Sequence, residues 1–514
     1  MTHRHLGRAL TATLAGFALV GLAVTPAAAH PHDDAKLGDM VAKKVTADKI
    51  LKHLKALQKI ADNNNGTRVA GSPGHNASAD YVDEALYDAG YLVTRQEFEF
   101  TYTETLAETL KVVSPAPSDV PIKVMSYSPS TPVGGITGQI AVVPADDADA
   151  TYGCDPADYA TGNYAGKIAL IKRGGCTFAQ KQATAAGAGA IAAVIYNRVP
   201  GDLNGTLGDP AAGIVPTGGI TQEAGEALAA QAASGPVTIT LELRQLREQR
   251  KTTNVIAESK WGDEDNVVMA GAHLDSVAAG PGINDNGSGS AALIEAAIQL
   301  GKIEDRPANK LRFAWWSGEE FGLLGSQAYV DSLAPADQRK IALYLNFDMI
   351  ASPNSAEFVY DGDDSDHAGS PAGPAGSAEI EAFLNGYLDN KGKPHEGTDF
   401  DGRSDYGPFI AVGVPSGGTF TGAEGVKTAD QAAKFGGTAG VAYDKCYHSA
   451  CDTYANLDKN YLELNGKLMG YALGTFANNT HMVNGDNDGN PGLPPTLRAA
   501  KAPAAAAAGD HVAE

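Results

Sequence analysis

The chain has 514 residues, more than one ordinary core needs, so its length predicts at least two folding units. A hydrophobic content of 43% with frequent Gly and Pro indicates a globular protein rather than a disordered or fibrous one. The net charge of -22 argues against a nucleic-acid-binding protein or one that binds anionic membranes, because both need a basic surface.

The first 29 residues have the pattern of a secretory signal peptide. Arg4 and Arg8 give a positive start, residues 10–24 are apolar, and residues 27–29 are three alanines at the expected cleavage position. A membrane anchor is the alternative, but the apolar stretch is short for a spanning helix. We therefore expect a secreted, extracellular protein with no membrane partner.

Residues 30–45 are predicted to be a short, charged leader of the mature chain. Thr46 can then cap a helix whose apolar residues recur at helical spacing, and a second helix is expected at about 76–89. An extended stretch follows at 91–103. We assign residues 46–132 to the first part of a larger domain.

Four cysteines are present, and an even number in an exported protein predicts disulfides. Three pairings are formally possible, and the simplest joins sequence neighbours, Cys154 with Cys176 and Cys446 with Cys451. A cysteine-ligated zinc site is the alternative, but the paired CxxC spacing is absent. The second pairing would close a tight loop around residues 447–448.

The sequence pattern of residues 133–240 predicts a separate module. It has short apolar strands, Gly-rich turns and one Ala-rich helix near 178–187. The run Gly-Lys-Ile-Ala-Leu-Ile-Lys-Arg-Gly-Gly-Cys-Thr-Phe at 166–178, with Cys154 before it, resembles the protease-associated domain. The resemblance implies a small β-rich module that many secreted and vesicular peptidases carry. It implies an effect on substrate access or partner contacts, and no catalytic role.

After residue 250 the pattern becomes strand, loop and helix. Residues 266–272, 310–316 and 341–347 are nearly continuous in apolar residues and predict buried parallel strands, with helices near 289–301 and 322–334 between them. The expected fold class is α/β, a mixed, mostly parallel sheet flanked by helices, with the β-rich module inserted.

The tail at 484–514 is rich in Asn, Asp, Gly and Pro and then in Ala, so we predict that it is disordered. Its Asp-Asn-Asp-Gly run at 486–489 is a candidate calcium site, but it lacks the full ligand loop with a terminal Glu, which favours a solvated linker.

Metal-capable residues stand at the carboxyl ends of the predicted strands, where open α/β sheets build their sites. They are His273, Asp275, Asp285, Glu319, Glu320 and Asp348, with His448 later in the small cysteine loop. Burying so many carboxylates together is costly unless cations neutralise them. Two histidines and several carboxylates without thiolates suit zinc in an open, catalytic site.

With Gly-Arg-Ser-Asp at 402–405 and Asp-Lys-Cys-Tyr-His-Ser-Ala-Cys-Asp at 444–452, this arrangement resembles the co-catalytic zinc aminopeptidases of the secreted leucyl-aminopeptidase type. The resemblance covers about 46–115 and 245–483, and we assign 241–483 to the second part of the peptidase domain. It implies two zinc ions, whose ligands are His273 and Asp348 for one, Glu320 and His448 for the other, and Asp285 bridging both.

The same resemblance implies roles for residues around the metals. Glu319 is expected to be the general base, the Tyr447 hydroxyl to stabilise the oxyanion, and Asp275 to fix the His273 ring. Arg403 is expected to help hold the substrate's N-terminal end. The residues expected to line a pocket for large apolar, Leu-like side chains are Met349, Gly402 and Phe420.

The predicted function is release of N-terminal residues from peptides by a monomeric enzyme. A serine hydrolase with a Gly-x-Ser-x-Gly elbow and a His-Glu-x-x-His zincin are excluded because neither motif occurs. The alternative is a carboxypeptidase of the glutamate-carboxypeptidase-like group, which pairs the same two modules. Glutaminyl cyclases lack the inserted module, and transferrin-receptor-like binding proteins have lost metal ligands that this chain retains.

Overall fold

The structure is a computed structural model that describes residues 31–145, 152–365, 367 and 369–485. The strands are β1 (Leu92–Ser114), β2 (Ser118–Val120), β3 (Lys123–Val124), β4 (Ile136–Val142), β5 (Ile168–Lys172), β6 (Ala192–Tyr196), β7 (Thr217–Ile220), β8 (Thr238–Glu258), β9 (Asp263–His273), β10 (Asn309–Trp316), β11 (Ile341–Phe347), β12 (Phe358–Tyr360), β13 (Glu396–Thr398) and β14 (Ser416–Phe420).

The α-helices are α1 (Pro31–Lys44), α2 (Ala47–Asp62), α3 (Pro73–Asp88), α4 (Phe178–Gly187), α5 (Gln222–Ser234), α6 (Gly287–Gly301), α7 (Leu324–Ser332), α8 (Pro335–Gln338), α9 (Ser377–Asn390), α10 (Tyr406–Ala411), α11 (Ala429–Phe435), α12 (Lys459–Phe476) and α13 (His481–Asn484). Short 3-10 helices lie at Pro156–Tyr159 and Glu319–Phe321. Within the described residues, no helix combines the length and apolar composition that a membrane span needs.

The larger domain is built on a sheet in the order β13, β12, β14, β11, β9, β10, β8. Strands β9, β10, β11 and β14 run parallel, and β8 joins β10 antiparallel. Every residue of β11 is buried, as its continuous apolar sequence predicts for a strand covered on both faces. The predicted mixed, mostly parallel sheet is confirmed, and its parallel strands end together at one edge.

Residues 31–44, which the sequence predicts to be part of a leader, form helix α1. Leu37, Val41 and Val45 follow one another at four-residue spacing and are buried in the core of the larger domain. Helix α12 comes close to them at Gly474, where an added Cβ would lie 2.8 Å from the Cα of Gly38. The helix is amphipathic, and its charged residues lie among the apolar ones in the sequence, which is why this stretch was predicted to be a leader.

The inserted module has its own sheet, in the order β4, β5, β6, β7, β3, and its own buried clusters. Strand β3 pairs with β7, and the neighbouring Ile122 and Met125 are buried in these clusters. The module's sheet therefore also takes in a short strand that precedes the predicted boundary at residue 133. A two-residue strand gives no periodic signal, which is why the sequence pattern missed it.

Strands β1 and β8 form one antiparallel ribbon that joins the two sheets. At one end β8 pairs with β10 of the larger domain, and at the other it pairs with β4 of the module. Both predicted disulfides are present, Cys154–Cys176 in the module and Cys446–Cys451 beside the sheet edge. The predicted signal peptide, the calcium candidate at 486–489 and nearly all of the predicted tail lie outside the described residues.

Candidate metal centre

Asp285 lies between two histidines from distant parts of the chain. Its Oδ1 atom is 3.2 Å from Nε2 of His273, and its Oδ2 atom is 3.2 Å from Nε2 of His448. His273 is the last residue of β9, whereas His448 lies in the loop closed by the Cys446–Cys451 disulfide. Each oxygen of one carboxylate thus faces a different imidazole, a geometry that can hold two cations side by side.

One further carboxylate lies beside each imidazole. Asp348, directly after β11, has Oδ1 3.4 Å from His273 Nε2, and Glu320 has Oε2 3.0 Å from His448 Nε2. We call His273 with Asp348 the first half-site and Glu320 with His448 the second half-site, with Asp285 shared between them. The five residues expected as ligands are therefore brought together by the fold.

Glu319 and Glu320 lie in a short 3-10 helix between Gly318 and Gly322, which we call the glutamate turn (residues 318–322). Both glycines have positive φ angles, 74° and 96°, which glycine adopts without a steric penalty. The Glu319 carboxylate is 3.8 Å from His273 Nε2, on the side of the first half-site. The turn thus presents two adjacent carboxylates to different half-sites.

Asp275 is closer to the His273 ring through its main chain than through its carboxylate, which was the group expected to fix the ring. The Nδ1 atom of His273 is 3.2 Å from the main-chain oxygen of Asp275, whereas the carboxylate oxygen is 3.8 Å away. That carboxylate oxygen is 3.4 Å from the main-chain nitrogen of Glu319, which donates to it. Asp275 therefore contacts both the His273 ring and the glutamate turn.

Asp348 is fixed by a chain of hydrogen bonds from within the sheet. Its Oδ2 atom accepts a 2.6 Å hydrogen bond from the Ser404 hydroxyl, which accepts one of 2.8 Å from the Asn346 amide. Asn346 lies in β11, two residues before Asp348, so the strand orients the carboxylate that follows it. The second oxygen of Asp348 is left to face His273.

The pKa values of these groups show how much negative charge the centre concentrates. Burial raises the pKa of Glu320 to about 7 and that of Glu319 well above its usual range. Burial lowers the pKa of His448, but hydrogen bonds to Asp285 and Glu320 outweigh it and raise the value to about 10. Burial likewise opposes a charged His273, yet Asp348 and Glu319 raise its pKa well above 6.5. The carboxylates therefore favour cations at both imidazoles.

The donor atoms fit zinc. Glu320 Oε1 and Asp348 Oδ1 are buried and accept no hydrogen bond from any described residue, and an uncompensated buried carboxylate oxygen is costly. Two imidazoles and three carboxylates without a thiolate form the nitrogen and oxygen set that open zinc sites use. Cations bound here would satisfy these oxygen atoms.

A cleft with an empty volume of about 520 Å³ opens over the centre. Met349, Phe420, Arg403 and Tyr447 line it. Gly402 is not among the lining residues, but its N–H donates to the hydroxyl of Tyr406, which is. Other lining residues come from short strands, loops and the start of α10, where no periodic pattern could predict them: Tyr360, Thr398, Asp399, Asp401, Tyr406 and Ala423.

Arg403 reaches across the cleft rim. Its guanidinium donates a 3.1 Å hydrogen bond to the Tyr447 hydroxyl and lies 2.9 Å from the Glu424 carboxylate. Burial opposes the charge of Arg403, but the hydrogen bond to Glu424 more than offsets this, and its pKa lies above the ordinary value. A permanent positive charge therefore stands beside the phenol of Tyr447.

Two buried residues that the sequence analysis did not select tie the ligand loops together. Arg68 is fully buried and donates to the main-chain oxygens of Pro281 and Gly282, at 2.9 Å and 2.6 Å, in the loop between His273 and Asp285. Asp452, directly after Cys451, accepts hydrogen bonds from the main-chain N–H groups of Asn284 and Asp285, at 2.8 Å and 3.0 Å.

The Asp452 contacts link the loop that carries His448 to the loop that carries Asp285. Arg68 holds the residues of that second loop that come just before Asn284. Both residues act on main-chain groups across long sequence separations, and the chain gave no local signal for either contact.

A mostly parallel sheet with a carboxylate-rich, thiolate-free metal centre at its carboxyl edge defines a metal-dependent hydrolase. The sequence pattern of peptidase family M28 matches residues 254–473, and that of the PA domain matches residues 136–228. A leucine aminopeptidase 2 from Trichophyton tonsurans is 46% identical over 441 residues, which cover 85% of this chain and 86% of that protein.

Solved structures of aminopeptidases are similar to this chain over most of its length. An aminopeptidase from Aneurinibacillus sp. strain AM-1 has a TM-score of 0.64 and 28% identity, covering 85% of this chain and 95% of its own. A zinc aminopeptidase from Bacillus subtilis has a TM-score of 0.57 and 25% identity, covering 84% and 94%. The chain belongs to peptidase family M28, among its zinc aminopeptidases, and carries an inserted PA domain. The predictions of this class, of its fold and of a protease-associated module are confirmed.

Proposed function

We propose that the protein is a secreted, monomeric aminopeptidase that uses two zinc ions to release large apolar, Leu-like residues from peptide N-termini. The observation that carries the proposal is the position of Asp285, whose two oxygens each lie 3.2 Å from a different imidazole. His273 and Asp348 would hold one ion, Glu320 and His448 the other, and Asp285 both. When bound, the ions supply Lewis acidity that polarises the substrate carbonyl and lowers the pKa of a water molecule.

Glu319 is proposed as the general base. It lies at the centre, 3.8 Å from His273 Nε2, and the burial that raises its pKa makes its carboxylate a better proton acceptor than an exposed one. It would take a proton from the attacking water and return it to the leaving amine. The N–H that Glu319 donates to Asp275 holds the turn against the first half-site.

Tyr447 is proposed to stabilise the oxyanion with its hydroxyl. Burial raises the pKa of Tyr447 above its ordinary value, so the phenol keeps its proton and can donate it in a hydrogen bond. Arg403 orients this hydroxyl through their 3.1 Å contact. We propose that Arg403 also helps to hold the N-terminal end of the substrate, as the family resemblance implies.

Specificity is proposed to arise from the two apolar residues in the cleft, Met349 and Phe420. A recess between them suits Leu, Met or Phe side chains, because each buried methylene adds about 0.8 kcal/mol. The carboxylates of Glu319 and Asp348 would favour a free ammonium group and repel a substrate carboxylate. The name of the Trichophyton tonsurans relative supports leucine as the preferred residue.

We also propose the division of the chain on which this function rests. Residues 1–29 would be removed as a signal peptide, and residues 30–132 and 241–483 would form the peptidase domain, apart from the segment around Lys123–Val124 that pairs with the module. Residues 484–514 would form a tail outside both domains. The two disulfides support export, since they persist in oxidising compartments.

The test measures zinc content and rates on matched leucyl substrates with the exported protein. We expect about two zinc ions per chain, release of leucine from leucine amide, and no reaction with the N-acetylated substrate. Chelation should abolish activity, and zinc but not calcium should restore it, which also tests the calcium candidate at residues 486–489. Full activity without metal would refute the mechanism, and release of C-terminal residues from an N-blocked peptide would favour the carboxypeptidase alternative.

A further inference from the structure

The ribbon that joins the module to the peptidase sheet has a middle section with no neighbouring strand. Residues 96–105 of β1 and 245–254 of β8 pair with each other, whereas β10 pairs only with residues 255–258 of β8 and β4 only with the far end of that strand, among the described residues. An isolated two-stranded ribbon is marginally stable in water. Its position must therefore be fixed by packing on one face.

That face packs on the glutamate turn. The rings of Phe100 and Tyr102 lie 5.2 Å and 5.4 Å from the ring of Phe321, which directly follows Glu320. Phe100 and Tyr102 are only 5% and 3% exposed, and the Arg250 guanidinium stacks on Tyr102 at 3.3 Å. The aromatic residues of the ribbon thus form the packing surface on which the turn rests.

The second strand of the ribbon clamps both ends of the turn. The fully buried Asn254 accepts a 2.9 Å hydrogen bond from the Ser317 N–H and donates one of 2.8 Å to the Gly325 carbonyl. The hydroxyls of Thr252 and Ser317 lie 2.5 Å apart. An added Cβ at Gly325 would be 2.4 Å from Asn254 Oδ1, so the clamp closes only on glycine.

The turn has only three helical residues and a left-handed glycine at each end, so its shape depends on the elements that pack against it. We propose that Asn254, Phe100 and Tyr102 are positioning residues for the glutamate turn, so that the ribbon to the PA domain sets the geometry of Glu319 and Glu320. This inference rests on the proposed function, in which Glu319 moves the proton. A displacement of about 1 Å in such a group can cost about 10²-fold in rate.

The experiment compares steady-state rates on leucine amide at saturating zinc for Asn254→Ala, Phe100→Ala and Tyr102→Ala. We expect kcat to fall by about tenfold to 10²-fold while KM changes little, because Met349, Arg403 and Phe420, which are proposed to hold the substrate, lie outside the turn and the ribbon. Tyr102→Phe keeps the ring on Phe321 and should restore most of kcat. Thr252→Val, which removes a single hydroxyl, gives a milder variant that decides the same question if Asn254→Ala does not fold.

The matched control is Phe178→Ala, which removes an equally buried ring from the core of the module, far along the chain from the turn. It should lower Tm and leave kcat at the wild-type value. If the ribbon variants also lower only Tm, or if their loss of rate is entirely a rise in KM, the inference is wrong. A wild-type protein without zinc-dependent leucine release would instead refute the proposed function itself.

Discussion

The two half-sites of the metal centre share Asp285 but are built in different ways. In the first, His273 is the last residue of β9 and its side chain is 1% exposed. Asp348 directly follows β11, which lies beside β9 in the sheet. In the second, Glu320 lies on a short turn and the side chain of His448 is 41% exposed in a disulfide loop. The first half-site is positioned by the sheet itself, whereas the second is positioned by contacts between loops.

This difference shows where rigidity must be added. The strands that carry the first half-site are fixed by hydrogen bonds to neighbouring strands on both sides. The loops of the second half-site need the Cys446–Cys451 disulfide, the Asp452 contacts to the Asp285 loop, and the ribbon behind the glutamate turn. We therefore expect the two halves to respond differently to mutation and to chelation.

The largest effect is expected from Glu319→Gln, which removes the base from the glutamate turn without removing a proposed ligand. Turnover should fall by about 10²–10⁴-fold, since proton transfer by a positioned group contributes that much. Zinc content, measured by elemental analysis, should stay near the wild-type value. Asp331→Asn, at an exposed carboxylate on the nearby helix α7, is the control. Loss of zinc with little loss of residual rate would mean that the roles of Glu319 and Glu320 are exchanged.

Stepwise chelation tests the comparison directly. We expect zinc to leave in two phases, the first from the more exposed half-site of His448, because a chelator reaches it more easily. His448→Ala should then lose the fast phase and keep the slow one, whereas His273→Ala should lose the slow phase. The measurement is zinc retained against time after chelator is added. A single phase in the wild type would show that the two halves act as one unit.

The same contrast explains how much the sequence could predict. Continuous apolar runs such as residues 341–347 predicted the central strands, and the polar residues after them predicted that metal-capable side chains meet at one edge of the sheet. The grouping of His273 with Asp348 came from the family resemblance. The second half-site came from a family resemblance, since nothing local places His448 near Glu320. Arg68 and Asp452 act through main-chain contacts, and Asn254 through contacts made in the folded chain. Such contacts leave no periodic trace in the sequence.

A smaller effect is expected in the cleft, which both half-sites face. Phe420→Ala should reduce the preference for leucine over alanine substrates by about tenfold, as one or two methylenes in an apolar pocket allow. The ratio of kcat/KM values on the two amides measures it. Phe435→Ala removes a ring from the same cluster but not from the cleft, and should leave the ratio unchanged. An equal fall for both substrates after Phe420→Ala would show that the ring does not select the side chain.

Removing the PA domain should change the rate on small substrates least. Thr105 and Gln245 face each other across the ribbon, so residues 106–244 can be replaced by an Asn-Gly turn. This cut keeps Phe100 and Tyr102 on the glutamate turn, and kcat for leucine amide should stay close to that of the full chain. A longer cut that removes both rings should lose turnover. Loss of turnover in the shorter, folded and zinc-loaded variant would place part of the chemistry in the module.

The smallest expected effect is a change in the pH dependence of stability at Glu357, a fully buried carboxylate that is not one of the proposed metal ligands. It shows what burial alone does to the pKa of a carboxylate. Its Oε2 accepts a 3.0 Å hydrogen bond from the Asn465 amide, and Oε1 has no partner among the described residues. Burial raises its pKa from 4.5 to about 8, so the folded protein keeps a proton that the unfolded chain releases above 4.5.

The sign of the pH dependence follows from that shift. The native state binds more protons than the unfolded state between pH 4.5 and about 8, so this group makes the protein less stable as pH rises through that range. Glu357→Gln stays neutral and can keep the contact with Asn465. Its Tm should match the wild type near pH 4 and exceed it near pH 9, and subtracting the two curves cancels every other titrating group. Glu379→Gln, at an exposed position, should show no such difference. A pH-independent Tm difference for Glu357→Gln would mean that folding does not raise the pKa of Glu357.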